Sequence, residues 1–153
     1  MTIVAIVQAR MGSTRFPNKV MSRIVDTPMI ELLLMRLNQS QRIDQIILAT
    51  SKNHENKPLV EHVRSLGFKV FQGSENDVLD RYYQAALEIR PETIVRITGD
   101  CPLIDPKLVD TVIEKYELEQ IDYVENQNPP TYPDGLDTEV FSFAALEIAW
   151  IEA

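Results

Sequence analysis

Short apolar runs alternate along the chain with segments whose apolar residues recur at helical spacing. The run at 3–8 is apolar almost throughout, which is typical of a strand buried on both faces. Glycine often ends a helix, as we expect at Gly67. Thr27 and Pro28 suit the cap and the first residue of a helix. We predict strands at 3–8, 43–50, 68–71, 93–98, 121–125 and 136–141, and helices at 28–39, 57–66, 77–89, 107–118 and 143–152.

The alternation of strands and helices indicates βαβ units, and therefore a mostly parallel sheet covered by helices on both faces. Ligands of such sheets bind at the carboxyl ends of the strands, which selects the loops 9–19, 51–56, 72–77 and 99–106. A length of 153 residues fits one domain with a real core. The sequence stops inside an amphipathic helix, and we expect either an incomplete sequence or a natural C-terminal helix.

Composition excludes several classes of protein. The chain has 44% hydrophobic and 25% charged residues, as expected of a soluble globular protein, and no apolar run long enough to span a membrane. A net charge of -8 argues against a nucleic acid or a membrane surface as partner. The single cysteine, Cys101, allows no internal disulfide and fits a reducing, cytoplasmic location. We interpret it as a structural thiol.

The loop after the first strand is a basic island in this acidic chain. It carries Arg10, Arg15 and Lys19, and no acidic residue precedes position 26. Gly12 would let a phosphate approach the backbone, Ser13 adds donors, and the arginines can bind phosphate oxygens with their planar forks. The nucleotide-binding patterns Gly-Lys-Ser/Thr and Gly-x-Gly-x-x-Gly are both absent. A phosphate-binding loop is therefore the favoured interpretation, and a solvated basic loop is the alternative.

Three further acidic residues, Asp100, Asp137 and Glu139, are candidates for chemistry, and a fourth, Asp105, is a candidate helix cap. Asp100 follows the predicted strand at 93–98 and could hold Mg²⁺, or simply form a turn after a glycine. Asp105 precedes a proline and is expected to cap the next helix. Asp137 and Glu139 lie two positions apart, which places them on one face of the predicted strand. They could bind sugar hydroxyls or a metal, or they could form the solvated face of an edge strand.

Three motifs together resemble the cytidylyltransferases, most closely the SpsF group of spore coat polysaccharide biosynthesis proteins. This group is akin to CMP-KDO synthetase and acylneuraminate cytidylyltransferase. The motifs are VQARMGSTRFPNK at 7–19, RITGDCPLID at 96–105 and PDGLDTEVF at 133–141. The resemblance extends over the whole chain, but family members normally continue past residue 153 and carry a second metal-binding aspartate there. The resemblance thus implies a member of the family, which we expect to lack the C-terminal part.

The resemblance implies a three-layer αβα fold of the nucleotide-diphospho-sugar transferase (GT-A-like) type. It also implies CTP along the first loop, with the triphosphate on Arg10, Arg15 and Lys19, and Mg²⁺ on Asp100. The nucleotide-binding residues expected from the resemblance are Ala9, Arg10, Gly12, Ser13, Arg15, Lys19, Gly73, Asp77 and Arg81. Asp137 and Glu139 are the candidates for sugar binding.

The expected reaction transfers CMP from CTP to a sugar or sugar acid and releases pyrophosphate. Two alternatives stay open. One is a glycosyltransferase that uses a nucleotide-sugar donor on a related fold. The other is a nucleotide-binding subunit with impaired catalysis. Because relatives often pair, a homodimer is also expected.

Overall fold

The computed structural model describes all 153 residues and contains a central six-stranded sheet. The sheet strands are β1 (Ile3–Gln8), β4 (Gln45–Ser51), β5 (Lys69–Gly73), β6 (Thr93–Thr98), β7 (Tyr123–Glu125) and β8 (Glu139–Ser142). They lie in the order β5-β4-β1-β6-β8-β7, and β1 pairs in parallel with both β4 and β6. Two short strands, β2 (Arg23–Ile24) and β3 (Thr27–Pro28), form a separate antiparallel hairpin.

Five helices cover the sheet: α1 (Met29–Leu37), α2 (Lys57–Ser65), α3 (Val78–Leu87), α4 (Pro106–Glu119) and α5 (Phe143–Glu152). Residues of α1, α2 and α4 belong to the larger hydrophobic cluster on one face of the sheet. Residues of α3 and α5 belong to the smaller cluster on the other face. Side chains of β1 alternate between the two clusters, as the pleat of a doubly covered strand requires. The predicted αβα layering and mostly parallel sheet are thus confirmed.

The elements predicted from the sequence are all present, with shifted ends in several cases. The first helix begins at Met29 rather than at Pro28, because Thr27 and Pro28 pair with Arg23 and Ile24 in the hairpin. The predicted strand at 136–141 starts only at Glu139 and runs antiparallel to β6 and β7. Asp137 therefore lies in the preceding loop, and the prediction that it shares a strand face with Glu139 is wrong.

The chain leaves β6 by a tight connection that leads directly into α4. Asp105 accepts hydrogen bonds from the amides of Lys107, at 2.8 Å, and Leu108, at 3.4 Å, and Pro106 is the first helical residue. The predicted cap is confirmed. Because this cap fixes the start of α4, residues 99–104 form a short bridge between a strand end and a helix start.

None of the five helices combines the length and the apolar character that a membrane crossing needs.

Candidate active site

A cavity of about 590 Å³ opens where β1 and β6 end. Its walls come from the loop after β1 and from the last residues of β6 together with the turn that follows. Six of the residues selected from the sequence line it: Ala9, Arg10, Ser13, Arg15, Lys19 and Asp100. The cavity is thus rich in cations, and its position at the carboxyl ends of neighbouring parallel strands is the one that doubly wound sheets use for ligands.

The loop after β1 is held from behind by the loop after β4. Asn56 is fully buried, and its Oδ1 accepts a hydrogen bond of 2.8 Å from the amide of Met11. The Nδ2 of Asn56 donates to the Oγ of Ser51 at 2.6 Å. Sequence reasoning assigned the loop 51–56 to ligand binding, but none of its residues lines this cavity. It supports the loop that does.

Gly99 brings the two walls of the cavity together. Its amide donates to the carbonyl of Gln8 at 2.7 Å. A Cβ on Gly99 would lie 2.6 Å from the Cβ of Ala9 and 2.8 Å from the Gln8 oxygen, and neither atom can move without moving backbone. Only glycine permits this approach. At Gly12 the neighbour is a side chain rather than backbone, because an added Cβ would collide with the carboxylate of Glu55.

Two cations of the cavity are ion-paired across loops. The Nη1 of Arg10 lies 3.0 Å from Oε1 of Glu75, in the loop after β5. The Nζ of Lys19 lies 3.6 Å from Oδ2 of Asp100. The neighbouring Ser51 hydroxyl lowers the pKa of Glu75, and although burial opposes this effect, Arg10 adds to the lowering. Glu75 is therefore the charged partner that steadies Arg10.

Asp100 has the character expected of a ligand for Mg²⁺. Burial would raise its pKa, but a hydrogen bond with Thr98 and the charge of Lys19 outweigh it, so the pKa lies below its ordinary value. The carboxylate is ionised, half-exposed and at the cavity edge. No group of three or more acidic, histidine or cysteine side chains could hold a metal by itself. A single carboxylate, that of Asp100, fits a Mg²⁺ ion that completes its coordination shell with phosphate oxygens and water.

Four residues assigned to nucleotide binding from the resemblance, Gly12, Gly73, Asp77 and Arg81, do not line the cavity. Asp77 caps α3 by accepting a hydrogen bond of 2.8 Å from the amide of Asp80. Arg81 is almost fully buried and donates to the carbonyl of Ser74 at 2.6 Å. Its guanidinium thus fixes the loop that carries the partner of Arg10. The structure places these residues behind the site, where they shape it.

A second cavity, of about 670 Å³, adjoins the first and shares Lys19, Thr98 and Asp100 with it. Asp134 and Asp137 line this second cavity, whereas Glu139 lines neither. Burial raises the pKa of Asp137, and the charges of Asp134 and Asp100 raise it further. The site therefore has a basic chamber and an acidic chamber that meet at Lys19 and Asp100.

Among the residues that line the basic chamber and that sequence reasoning missed are two long polar side chains, Gln8 and Arg96. Both lie within strands, where an apolar context suggests burial rather than function. Period-two alternation could have placed them on one face, since β1 and β6 pair in register with Gln8 opposite Thr98. That register depends on strand order, which the sequence does not state.

The mostly parallel sheet, covered by helices on both faces and with two adjoining chambers at its strand ends, has the fold of the nucleotide-diphospho-sugar transferase type. Residues 4–153 match the family described as Cytidylyltransferase, and the chain belongs to this family. It is 46% identical, over its whole length, to an uncharacterized protein of Methanocaldococcus jannaschii, of which it covers 62%. It is 38% identical over 132 residues to the spore coat polysaccharide biosynthesis protein SpsF of Bacillus subtilis, matching 84% of this chain and 55% of SpsF.

Among solved structures, a cytidylyltransferase from Leptospira borgpetersenii superposes with a TM-score of 0.95 and is 34% identical. The superposition covers all of this chain and 65% of that one. The chain thus spans between about half and two thirds of the length of these three proteins.

Proposed function

We propose that the protein transfers CMP from CTP to a sugar or sugar acid and releases pyrophosphate. The observation that carries the proposal is the cation-lined cavity next to ionised Asp100, in a chain of the cytidylyltransferase family. The likeness to SpsF, a protein of polysaccharide biosynthesis, supports a sugar as acceptor. The local basic chamber suits a compact polyanion such as a triphosphate.

Each wall of the site has a distinct task in this proposal. Arg10, Arg15 and Lys19 bind the triphosphate and stabilise the negative charge that moves towards the leaving pyrophosphate. The acidic chamber receives the acceptor, and Asp137 accepts hydrogen bonds from its hydroxyls. Because the two chambers meet at Lys19 and Asp100, an acceptor oxygen would stand next to the α-phosphate. Positioning of this kind accounts for much of the rate of phosphoryl-type transfers.

We assign Mg²⁺ as the cofactor and Asp100 as its protein ligand. When bound, the ion would neutralise charge on the phosphates and orient them. Lys19 would then exchange its contact with Asp100 for a phosphate oxygen. The exchange is easy because both side chains are about half-exposed and their ion pair, at 3.6 Å, is long.

Arg15 gives the sharpest test of the phosphate assignment. It lines the cavity, it is exposed, and it is not tied to an acid as Arg10 and Lys19 are. Arg15→Ala should therefore weaken CTP binding at least about tenfold, as expected for the loss of a charged hydrogen bond. Isothermal titration calorimetry with CTP and Mg²⁺ would measure it. Arg64→Ala, at an exposed position of α2 outside the cavity, is the matched control and should bind CTP normally.

Two further measurements separate the proposed reaction from its alternatives. Thermal shift with CTP, UTP, dTTP and ATP should show the largest rise in melting temperature with CTP, since a ligand of the native state stabilises it by mass action. Pyrophosphate release from CTP in the presence of sugars should follow. A glycosyltransferase would release none, and a non-catalytic subunit would bind CTP without turnover. Either result would overturn the proposed reaction.

A further inference from the structure

The floor of the basic chamber holds a fourth cation, Arg96, which differs from the other three in being part of the sheet. Arg10, Arg15 and Lys19 lie in the loop after β1, where side chains have several rotamers open to them. Arg96 lies in β6, two residues before its end, so its Cα position is fixed by pairing with β1 and β8. It is the cation of the cavity with the least freedom to move.

Two neighbours hold the guanidinium of Arg96 in place. Its Nη1 is ion-paired with Oε1 of Glu139, the residue opposite it on β8. The other carboxylate oxygen of Glu139 accepts a hydrogen bond of 3.2 Å from the hydroxyl of Tyr123. The ring of Tyr82 lies 5.7 Å from the guanidinium carbon, within reach of a cation–π contact. Both oxygens of Glu139 are thus engaged, which argues against the sugar-binding role expected from the sequence.

The exposure of the two partners is unequal. The side chain of Glu139 is 14% exposed, whereas that of Arg96 is 31% exposed and lines the cavity. A guanidinium carries five N–H donors in a rigid plane, and one contact with a carboxylate leaves the rest available. The free edge of Arg96 is therefore open to the chamber in which the proposed triphosphate lies. Its orientation is set before any ligand arrives, which reduces the ordering cost of binding.

We propose that Arg96 is a further triphosphate-binding residue, and that Glu139 is a positioning residue that aims it. This inference rests on the proposed function, because it takes CTP as the ligand of the basic chamber. The competing explanation is structural: Arg96 would merely neutralise a shielded carboxylate. If Arg96 binds the triphosphate, its removal should lower the affinity for CTP more than the affinity for CMP. A purely structural ion pair would not distinguish CMP from CTP.

The experiment is a calorimetric comparison of CMP, CDP and CTP with Mg²⁺. In the unmodified protein, affinity should rise from CMP to CTP as further phosphates reach the cations. Arg96→Gln should reduce the ratio of CTP to CMP affinity about tenfold, the loss expected for charged hydrogen bonds to phosphate. Arg96→Lys should restore part of the ratio, because it keeps the charge and loses the fork. Arg42→Gln is the control, since Arg42 is likewise ion-paired, to Glu117 at 2.6 Å, and lies outside the cavity.

Arg96→Gln alone leaves Glu139 unpaired and could destabilise the fold, so the double variant Arg96→Gln/Glu139→Gln is the decisive one. It removes both charges and keeps hydrogen-bonding side chains, so it should fold and still show the reduced ratio. Glu139→Gln alone should reduce the ratio by a smaller factor, since Arg96 stays but is held less firmly. If the double variant keeps the full ratio, the Arg96 inference is overturned while the proposed function stands. If the unmodified protein binds no nucleotide, both fail together.

Discussion

At the scale of single residues, the site depends on side chains that never face the ligand. Asn56 is the best example: it is fully buried and joins Ser51 at the end of β4 to Met11 in the loop after β1. The amide of Met11 would otherwise be a buried donor without a partner, which is costly. Asn56 therefore both stabilises the fold and sets where the loop after β1 lies.

Asn56→Ala should lower the free energy of unfolding by about 1–3 kcal/mol, because it leaves the buried Met11 amide without its acceptor and removes the donor that Asn56 gives to the Ser51 hydroxyl. It should also weaken CTP binding, since the loop loses its support from behind. Urea denaturation would measure the first effect and calorimetry the second.

The matched control is Asp44→Ala. Asp44 accepts a hydrogen bond of 2.7 Å from the amide of the buried residue Ile3, at the start of β1 and therefore at the end of the sheet away from the cavity. This variant should lose comparable stability and retain its affinity for CTP. An equal loss of CTP affinity in both variants would show that general destabilisation, not loop support, explains the Asn56 result.

The sequence revealed the cations of the first loop, because they cluster in a short segment without acids. It could not reveal Asn56, Glu75 or Arg96, since their partners lie 45, 65 and 43 positions away in the chain. Nothing local distinguishes a buried asparagine that supports a loop from one in a surface turn. Residue types that act through long-range contacts therefore stay invisible until the fold is known.

At the scale of elements, two aspartates, Asp77 and Asp105, cap helices near the site and do not line the cavity. Asp105 caps α4, as its position before a proline predicted, and Asp77 caps α3, although the resemblance assigned it to the nucleotide. Asp77 accepts from the Asp80 amide at 2.8 Å, so its carboxylate is engaged within its own helix turn. Both side chains perform the same task at the starts of two different helices.

Asp77→Ala and Asp105→Ala should each lower the free energy of unfolding by about 1 kcal/mol, the usual value for an N-cap. Neither should change CTP affinity more than about twofold, because a lost cap frays a helix start without removing a charge from the cavity. Thermal denaturation and CTP titration of the two variants side by side would measure this. A large loss of CTP affinity in Asp77→Ala alone would restore the role in nucleotide binding that the resemblance implied.

Helices and strands were predictable wherever a periodic pattern ran for several residues. The β2–β3 hairpin was not, because two-residue strands are too short to show alternation. The late start of β8 was missed for a related reason: the alternating residues before Glu139 continue the strand pattern into a loop that Asn126 holds in place. Elements fixed by local pattern are readable, and those fixed by a distant partner are not.

At the scale of the whole molecule, the order of the strands decides where the acidic chamber lies. β8 inserts antiparallel between β6 and β7, which places the loop 133–137 beside Asp100 and Lys19. The alternation of strands and helices in the sequence does not predict this insertion of β8.

On the outer surface, α5 leaves Ile148 and Ile151 exposed, at 57% and 68%. Apolar exposure of this kind accords with the expected homodimer, which stays a prediction.

The distribution of charge over the molecule gives a prediction about its ligands. The net charge is -8, yet Arg10, Arg15, Lys19 and Arg96 converge on one cavity of about 590 Å³. An extended nucleic acid would have to cross the acidic surface around that cavity, whereas a single triphosphate fits inside it. Because salt screens electrostatic attraction beyond about 10 Å, the attraction acts at the cavity and not across the molecule.

A single-stranded RNA of about 20 nucleotides should therefore not displace labelled CTP at concentrations at which unlabelled CTP does. Raising the salt concentration should weaken CTP binding by a modest factor, since only the few cations of the cavity take part in it. Fluorescence anisotropy with labelled CTP would measure both effects. Tripolyphosphate without a nucleoside is the control, and it should compete because it can enter the cavity. Effective competition by the RNA would instead mean that the cations act as an open patch for long polyanions, and the assignment of a compact triphosphate as their ligand would have to be abandoned.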